Sequence, residues 1–375
     1  MGRSLPQLCS DQPHATFTLR QSESALHFHA PAAVIGVILN GLPQGLLALT
    51  FGFASIPTAM AFFVGAVGNA FTQNVAPISF QAETITYAGT AGKDRSERCT
   101  MIFLGGVLMA LIGIFGLLTK IVDFIGSDIA NGMMAGVGIM LSKVAIDMVK
   151  KEKISGGVSL VAALVTYYVT RNSANTLVYT IVISVVASCI VSAFVEKDKE
   201  NIVVVDDKFI RQKFTFNAKI LMGALGMVCL NIGSNISFGS ITASMAPDAH
   251  YNVDQLTVIS SLADMGSSFF GGAPVESIIS ATANAPHAVW AGVAMMVLMG
   301  IILLTGILPK ISKYVPTSSI AGFLFVLGVF KTVALDAPAA LASAPAVGGV
   351  TMVVTAITNP FFGMIAGIVA RLLGL

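Results

Sequence analysis

The chain has 375 residues, 55% hydrophobic and only 11% charged, with a net charge of +2 and a mean hydropathy of +0.83. A soluble domain carries about 25% charged residues, so this composition excludes a soluble globular protein, and continuously apolar segments exclude an alternating β-barrel. The small net charge, with basic residues confined to loops, gives no reason to expect nucleic acid as a partner. The expectation is an all-α, multi-pass protein of the cell (inner or plasma) membrane, with lipid as its surroundings.

Residues 1–32 read as a polar tail holding Asp11, Arg20, Glu23, His14, His27 and His29, without the apolar core of a cleavable signal. The three histidines read as solvated loop rather than as a metal site. Cys9, Cys99, Cys189 and Cys229 are scattered without metal spacing, so free thiols are expected. Apolar segments then fall near 33–53, 55–73, 76–90, 100–119, 126–147, 155–170 and 175–195, the third short and broken. A charged loop over 196–219 divides the chain. The second half offers segments near 220–244, 255–271, 273–285, 288–308, 317–335, 346–358 and 360–375, the tenth again broken. About fourteen segments result, seven in 33–195 and seven in 220–375. Because seven is odd, equivalent halves must be inverted about an axis in the membrane plane.

The halves share more than a count. Gly68-Asn-Ala-Phe-Thr-Gln-Asn-Val-Ala-Pro77 corresponds to Gly266-Ser-Ser-Phe-Phe-Gly-Gly-Ala-Pro274, so Ala76–Ser79 matches Ala273–Glu276. Further on, Lys120 aligns with Lys310, Ser127 with Thr317, Gly132 with Gly322 and Gly138 with Gly328, without a gap. These glycines read as points of close helix approach, whereas Gly271 and Gly272 mark irregular backbone before a proline. Paired, interrupted segments in the two halves are the best sequence pointer to a transporter's binding site.

The chain resembles the xanthine/uracil permeases of the nucleobase–ascorbate transporter family, in particular the guanine/hypoxanthine/adenine branch. The resemblance rests on Gly41-Leu-Pro-Gln44-Gly-Leu-Leu-Ala-Leu-Thr-Phe-Gly52, on Ala273-Pro-Val-Glu276-Ser277, and on Ile320-Ala-Gly322-Phe-Leu-Phe-Val-Leu-Gly328-Val-Phe-Lys331. It implies a core domain and a gate domain, a purine, uracil or xanthine held between the third and tenth segments, Glu276 and Gln44 as binding residues, and a gate-domain homodimer as the partner arrangement. One departure stands out. Leu230 occupies the place of the acid that the family carries in its eighth segment.

Glu276 is the leading functional residue, because an unneeded intramembrane charge costs kilocalories. A carboxylate accepts two N–H bonds from a planar base edge, and it is a natural carrier of a coupling proton. The start of a half-helix there would supply backbone N–H groups. Ser277 is its neighbour and Ser79 its counterpart, with Phe80 and Gln81 placed to stack against and hydrogen-bond a flat ligand; each of these serves equally as a partner for broken backbone. Asp264 is a second intramembrane carboxylate, for pairing or for a proton path. Glu83 reads either as an intramembrane acid in place of the one missing at Leu230 or, preferred, as a residue near a mouth. Asn231, Ser234 and Asn235 share one helix face and read as ligand contacts or interhelical glue.

The sequence-level function is a secondary permease, proton-coupled or sodium-coupled, for nucleobases. Its rivals are a small-anion transporter on the same fold and a non-transporting membrane receptor or scaffold. No phosphate-cradling Gly-Lys-Ser/Thr loop and no His-Glu-x-x-His motif occurs, so neither ATP drive, a cofactor, a metal nor enzyme chemistry is expected. Orientation is contradictory. With a cytoplasmic N-terminus, only Arg3, Arg20, Lys120, Arg171, Lys331 and Arg371 fall inside, leaving 15 of the 21 basic residues outside, against the positive-inside rule.

Overall fold

The computed structural model describes residues 15–173, 176–195 and 208–375, with the side chains of 15–30 and 32 excluded. His14, Cys9 and residues 196–207 of the charged connecting loop therefore lie outside the described residues, whereas the backbone at His27 and His29, expected as loop, belongs to a helix. Eight helices among those described are long and apolar enough to cross a membrane, and three shorter apolar ones accompany them. The protein is an integral, multi-pass membrane protein.

The first half runs α1 (Ala15–Thr50), α2 (Ser55–Thr72), a two-residue strand β1 (Ile78–Ser79), α3 (Ala82–Ala91), α4 (Arg95–Ile114), a short α5 (Leu118–Ile125), α6 (Ser127–Lys151), α7 (Lys153–Thr170) and α8 (Thr176–Val195). The second half runs α9 (Ala218–Ser244), α10 (Val253–Phe269), strand β2 (Glu276–Ser277), a single 3-10 turn (Ala281–Asn284), α11 (Ala288–Leu304) and a short α12 (Ile307–Ser312). Its twelfth segment starts with a 3-10 turn (Thr317–Ile320), continues as α13 (Ala321–Val326), widens into a π-helix (Leu327–Val333) and ends as α14 (Ala334–Ala342). Helices α15 (Pro345–Ile357) and α16 (Pro360–Leu372) complete the chain. Short α5 and α12 are the Lys120 and Lys310 turns of the alignment, leaving fourteen crossing segments in which the third (β1–α3) and tenth (β2 and its 3-10 turn) are broken.

Packing repeats with the sequence. In the core domain, α4 lies along α10 just as α11 lies along α2; in the gate domain, α6 packs on α15 as α13 packs on α7, and the hairpins α7–α8 and α15–α16 correspond. The pseudo-two-fold axis is visible at single residues. β1 and β2 pair antiparallel, with Ser79 opposite Glu276, so each of these residues faces its own equivalent in the other repeat. In the gate, a methyl group on Gly138 would lie 2.8 Å from the Gly328 carbonyl oxygen, and one on Gly328 would lie 2.6 Å from that of Gly138. Only glycine permits two helix backbones to meet so closely.

Hydrogen bonds sort the loops into two faces. On one, the Ala54 amide donates to the Gly271 carbonyl at 2.9 Å, the Arg95 guanidinium holds Gly271, Arg98 holds Phe51, and Ser96 holds Lys213. On the opposite face, the Val75 amide donates to the His250 carbonyl at 2.9 Å and the Asn74 side chain donates to Asn252. Both faces join loops of the two repeats, the arrangement that inverted halves of seven segments require.

Candidate substrate and ion site at the crossing of the broken segments

Two strands of two residues cannot satisfy their own backbone inside a membrane, so neighbouring helices must supply partners. They do. Thr58 of α2 accepts from the Ala273 amide at 2.8 Å, and Ser267 of α10 donates to the Ala273 carbonyl at 2.7 Å. Asn69 donates to Ala76 at 2.7 Å. Thr242 of α9 donates to Ile278 at 2.8 Å and accepts from the Ser280 amide at 3.0 Å. These residues escaped the sequence reading, although a hydroxyl or amide on an otherwise apolar span was the available signal.

Asp264 belongs to the same scaffold. Fully buried on α10, it accepts from the Val275 amide through Oδ1 at 2.8 Å and thereby aims the chain at Glu276. Its other side faces Glu276 and Asn231, the side chains that interact across the site. Five buried oxygens in this cluster have no protein hydrogen-bond partner of ordinary geometry, Ser79 Oγ, Asn231 Oδ1, Asp264 Oδ2 and both oxygens of Glu276, and Ser277 Oγ on the other face of β2 has none either. The site thus brings together Glu276, Asp264 and Asn231, with Ser79 opposite Glu276 across the strand pair, whereas Ser277 alternates to the other face with Ile78.

Other predicted residues lie elsewhere or are engaged. The Phe80 ring is buried, packed edge-on against Phe62 with centroids 5.2 Å apart and close against Gly45. Gln81 donates to the Ser277 carbonyl at 3.2 Å and so ties the two broken segments together. Gln44 bonds back to Asn40 of its own helix at 3.3 Å, and Ser234 bonds back to Leu230 at 3.0 Å. Asn235 donates to Thr257 and Ser260, which joins α9 to α10. Leu230 is buried in the apolar core.

Two expectations require correction. Glu83 is not near a mouth: it is 5% exposed and accepts at 3.3 Å from Thr332 in the π-helix of the twelfth segment, a contact between core and gate. Nor does a half-helix begin at Glu276. That residue lies on β2, and the following turn spans only Ala281–Asn284 and is capped by Ser280. The proline and the paired strands consume the backbone that a helix start would have offered. A helix start at the crossing is that of α3, whose N-cap Gln81 contributes no side-chain cap but whose first turn carries Glu83, bonded to its own backbone amide.

No family model matches the chain, and no curated protein sequence matches it. Solved structures do. The chain is similar to the transmembrane domain of a cyanobacterial bicarbonate transporter, BicA, at 14% identity and a TM-score of 0.58, covering 90% of this chain and 97% of that one. It is similar to SLC26A9 at 13% identity and a TM-score of 0.64, covering 99% and 72%. It is also similar to the murine solute carrier 26 family member A9 anion transporter in its inward-facing state, at 12% identity and a TM-score of 0.68, covering 98% and 73%. These are transporters, not enzymes. They overturn the resemblance to xanthine/uracil permeases, and with it the nucleobase, purine and uracil expectations. The Ala-Pro-Val-Glu stretch that carried the resemblance breaks the tenth segment and sets an acid opposite Ser79, a property of the backbone plan that does not specify a base. The architecture of this chain is the fourteen-segment fold seen in those anion and bicarbonate transporters.

Proposed function

We propose that the protein is a secondary transporter of a small anion of the bicarbonate, carboxylate or sulfate type, moved together with a proton or sodium ion. The observation that carries this reading is the cluster of five buried oxygens without a hydrogen-bond partner of ordinary geometry where β1 crosses β2. Buried polar groups are almost always hydrogen-bonded, so a concentration of exceptions at one point marks groups built to meet a solute. The cluster divides by chemistry. The Ser79 hydroxyl is a donor, and α3 begins beside it, its first turn shared with Glu83. Asp264, Glu276 and the Asn231 carbonyl oxygen are acceptors and favour a cation. Two carboxylates facing each other away from water repel strongly unless a cation lies between them, and that cation also offsets their repulsion of the anion. The likeness to bicarbonate and anion transporters supports the choice of anion.

Exchange between the two sides proceeds by movement of the core against the gate, elevator-like or rocking, about contacts such as Glu83–Thr332. The test is uptake of radiolabelled bicarbonate, sulfate and small carboxylates into proteoliposomes under imposed proton or sodium gradients. Cation-driven accumulation of one of these anions supports the reading. Binding of an anion without flux identifies a receptor instead, and no interaction with any anion by folded protein removes the proposal.

A further inference from the structure

A second feature lies outside the central cluster. A cavity of about 420 Å³ opens between the core and the gate, on the face where the Arg95, Arg98 and Lys213 loops gather. Tyr87, Thr90, Lys219 and Met222 line it from the core, Thr358 and Asn359 from the gate. Its position follows from α3. This 10-residue helix starts at the central crossing and ends in the cavity wall, a distance of about 15 Å at the α-helical rise. Tyr87, in the cavity wall, stands one turn from Glu83, the residue that contacts the gate through Thr332.

The cavity has one sign of charge. Among the described residues, Lys219 is its only charged lining residue, and no Asp or Glu lines it. Lys219 is exposed and forms no ion pair among the described residues. Helices α9 and α16 begin here with Asn217 and Asn359 as side-chain caps, while α3 and α15 end here, so the helix dipoles offset one another and Lys219 sets the local charge. A cleft with low-dielectric walls and an unpaired cation concentrates anions. Movement of the core against the gate would necessarily reshape it, since its walls come from both.

We infer that this cavity is the outer vestibule through which a small anion reaches the central site, and that Lys219 is the residue that concentrates the anion there. The inference rests on the anion-transport reading, and the experiment separates the two. Met222→Cys and Thr358→Cys place a thiol in the vestibule of the full-length protein, and modification is followed at the introduced cysteine by peptide mass spectrometry. The probes are a negatively charged and a positively charged membrane-impermeant methanethiosulfonate. Both cysteines are expected to react from the same side of the membrane, with the anionic reagent favoured. Lys219→Gln is expected to lower that preference roughly tenfold at low salt, and Lys219→Arg to retain it. Uptake by Lys219→Gln is expected to need a several-fold higher anion concentration for half-maximal rate, a defect that shrinks as ionic strength rises.

Cysteines that react from neither side, or a reagent preference indifferent to Lys219, overturn the vestibule. A lysine-dependent preference in a protein that carries no anion leaves the vestibule standing and removes the transport reading instead. Orientation follows from the same labelling, because the reactive side is the side bearing most of the basic residues.

Discussion

Asp264 offers the sharpest separation of scaffold from chemistry, because its two carboxyl oxygens have different tasks. Oδ1 accepts from the Val275 amide at 2.8 Å, whereas Oδ2 has no partner of ordinary geometry among the described residues and belongs to the cluster around Glu276. Asp264→Ala leaves the Val275 amide unsatisfied where no water competes, and it opens a small void. An orphaned buried donor costs about 1–3 kcal/mol, and with the void the expected loss is about 2–4 kcal/mol. Asp264→Asn retains an acceptor of the same shape for Val275, so its cost should stay near 1 kcal/mol, yet it removes the charge that a coupling cation would meet. Thermal unfolding in detergent, read by loss of the monodisperse size-exclusion peak, ranks the variants for stability; gradient-driven uptake ranks them for coupling. The expectation is an alanine variant that unfolds several degrees early and an asparagine variant that folds almost normally but loses dependence on the cation gradient. Equal destabilisation by both substitutions would refute the division of labour, and so would unaltered cation-driven uptake by Asp264→Asn.

Thr242→Val removes the hydroxyl that serves Ile278 and Ser280 and should destabilise by about 2–4 kcal/mol, while Thr242→Ser stays close to wild type; equal unfolding temperatures of the two variants contradict this. Gly138→Ala and Gly328→Ala each place a methyl under 3 Å from the opposite carbonyl and should each cost about 1–3 kcal/mol. Because one separation of the helices relieves both clashes, the double variant should cost clearly less than the two together, by about 0.5–3 kcal/mol; additive unfolding shifts would place the axis elsewhere. Thr332→Val deletes the donor to Glu83 and weakens the described core–gate arrangement by about 1 kcal/mol. That change should appear as a several-fold shift in vestibule cysteine labelling, and an unchanged labelling rate would show that the contact does not bias the core.

Much of the architecture was legible because membrane crossing imposes length and apolarity on every segment. The alignment of Ala76–Ser79 with Ala273–Glu276 predicted that the two stretches are equivalent, and the pairing of Ser79 with Glu276 shows them meeting. Gly138 and Gly328 behave likewise. Local chemistry was harder to read. Whether Asn235 served a ligand or a neighbouring helix depended on Thr257 and Ser260, a turn or two along another helix, and a single span cannot show which of its faces a partner covers. Glu83 was misplaced because the charged stretch at 93–98 suggested a nearby mouth, while α3 still had two turns to run before reaching it. The short acid-bearing motif at Glu276 misled on substrate for a related reason: it reports a break in the backbone, and the side chains beside Glu276, those of Asp264 and Asn231, come from outside the motif, on α10 and α9.

The most direct test of the central claim is uptake of the preferred anion by wild-type and Glu276→Gln protein in vesicles of one lipid composition, with and without an imposed cation gradient. If the crossing of β1 and β2 holds anion and cation together, the wild type accumulates the anion only with the gradient, and Glu276→Gln, though folded, does not respond to it. Gradient-driven accumulation by Glu276→Gln at the wild-type rate would contradict the account and move the site away from the crossing.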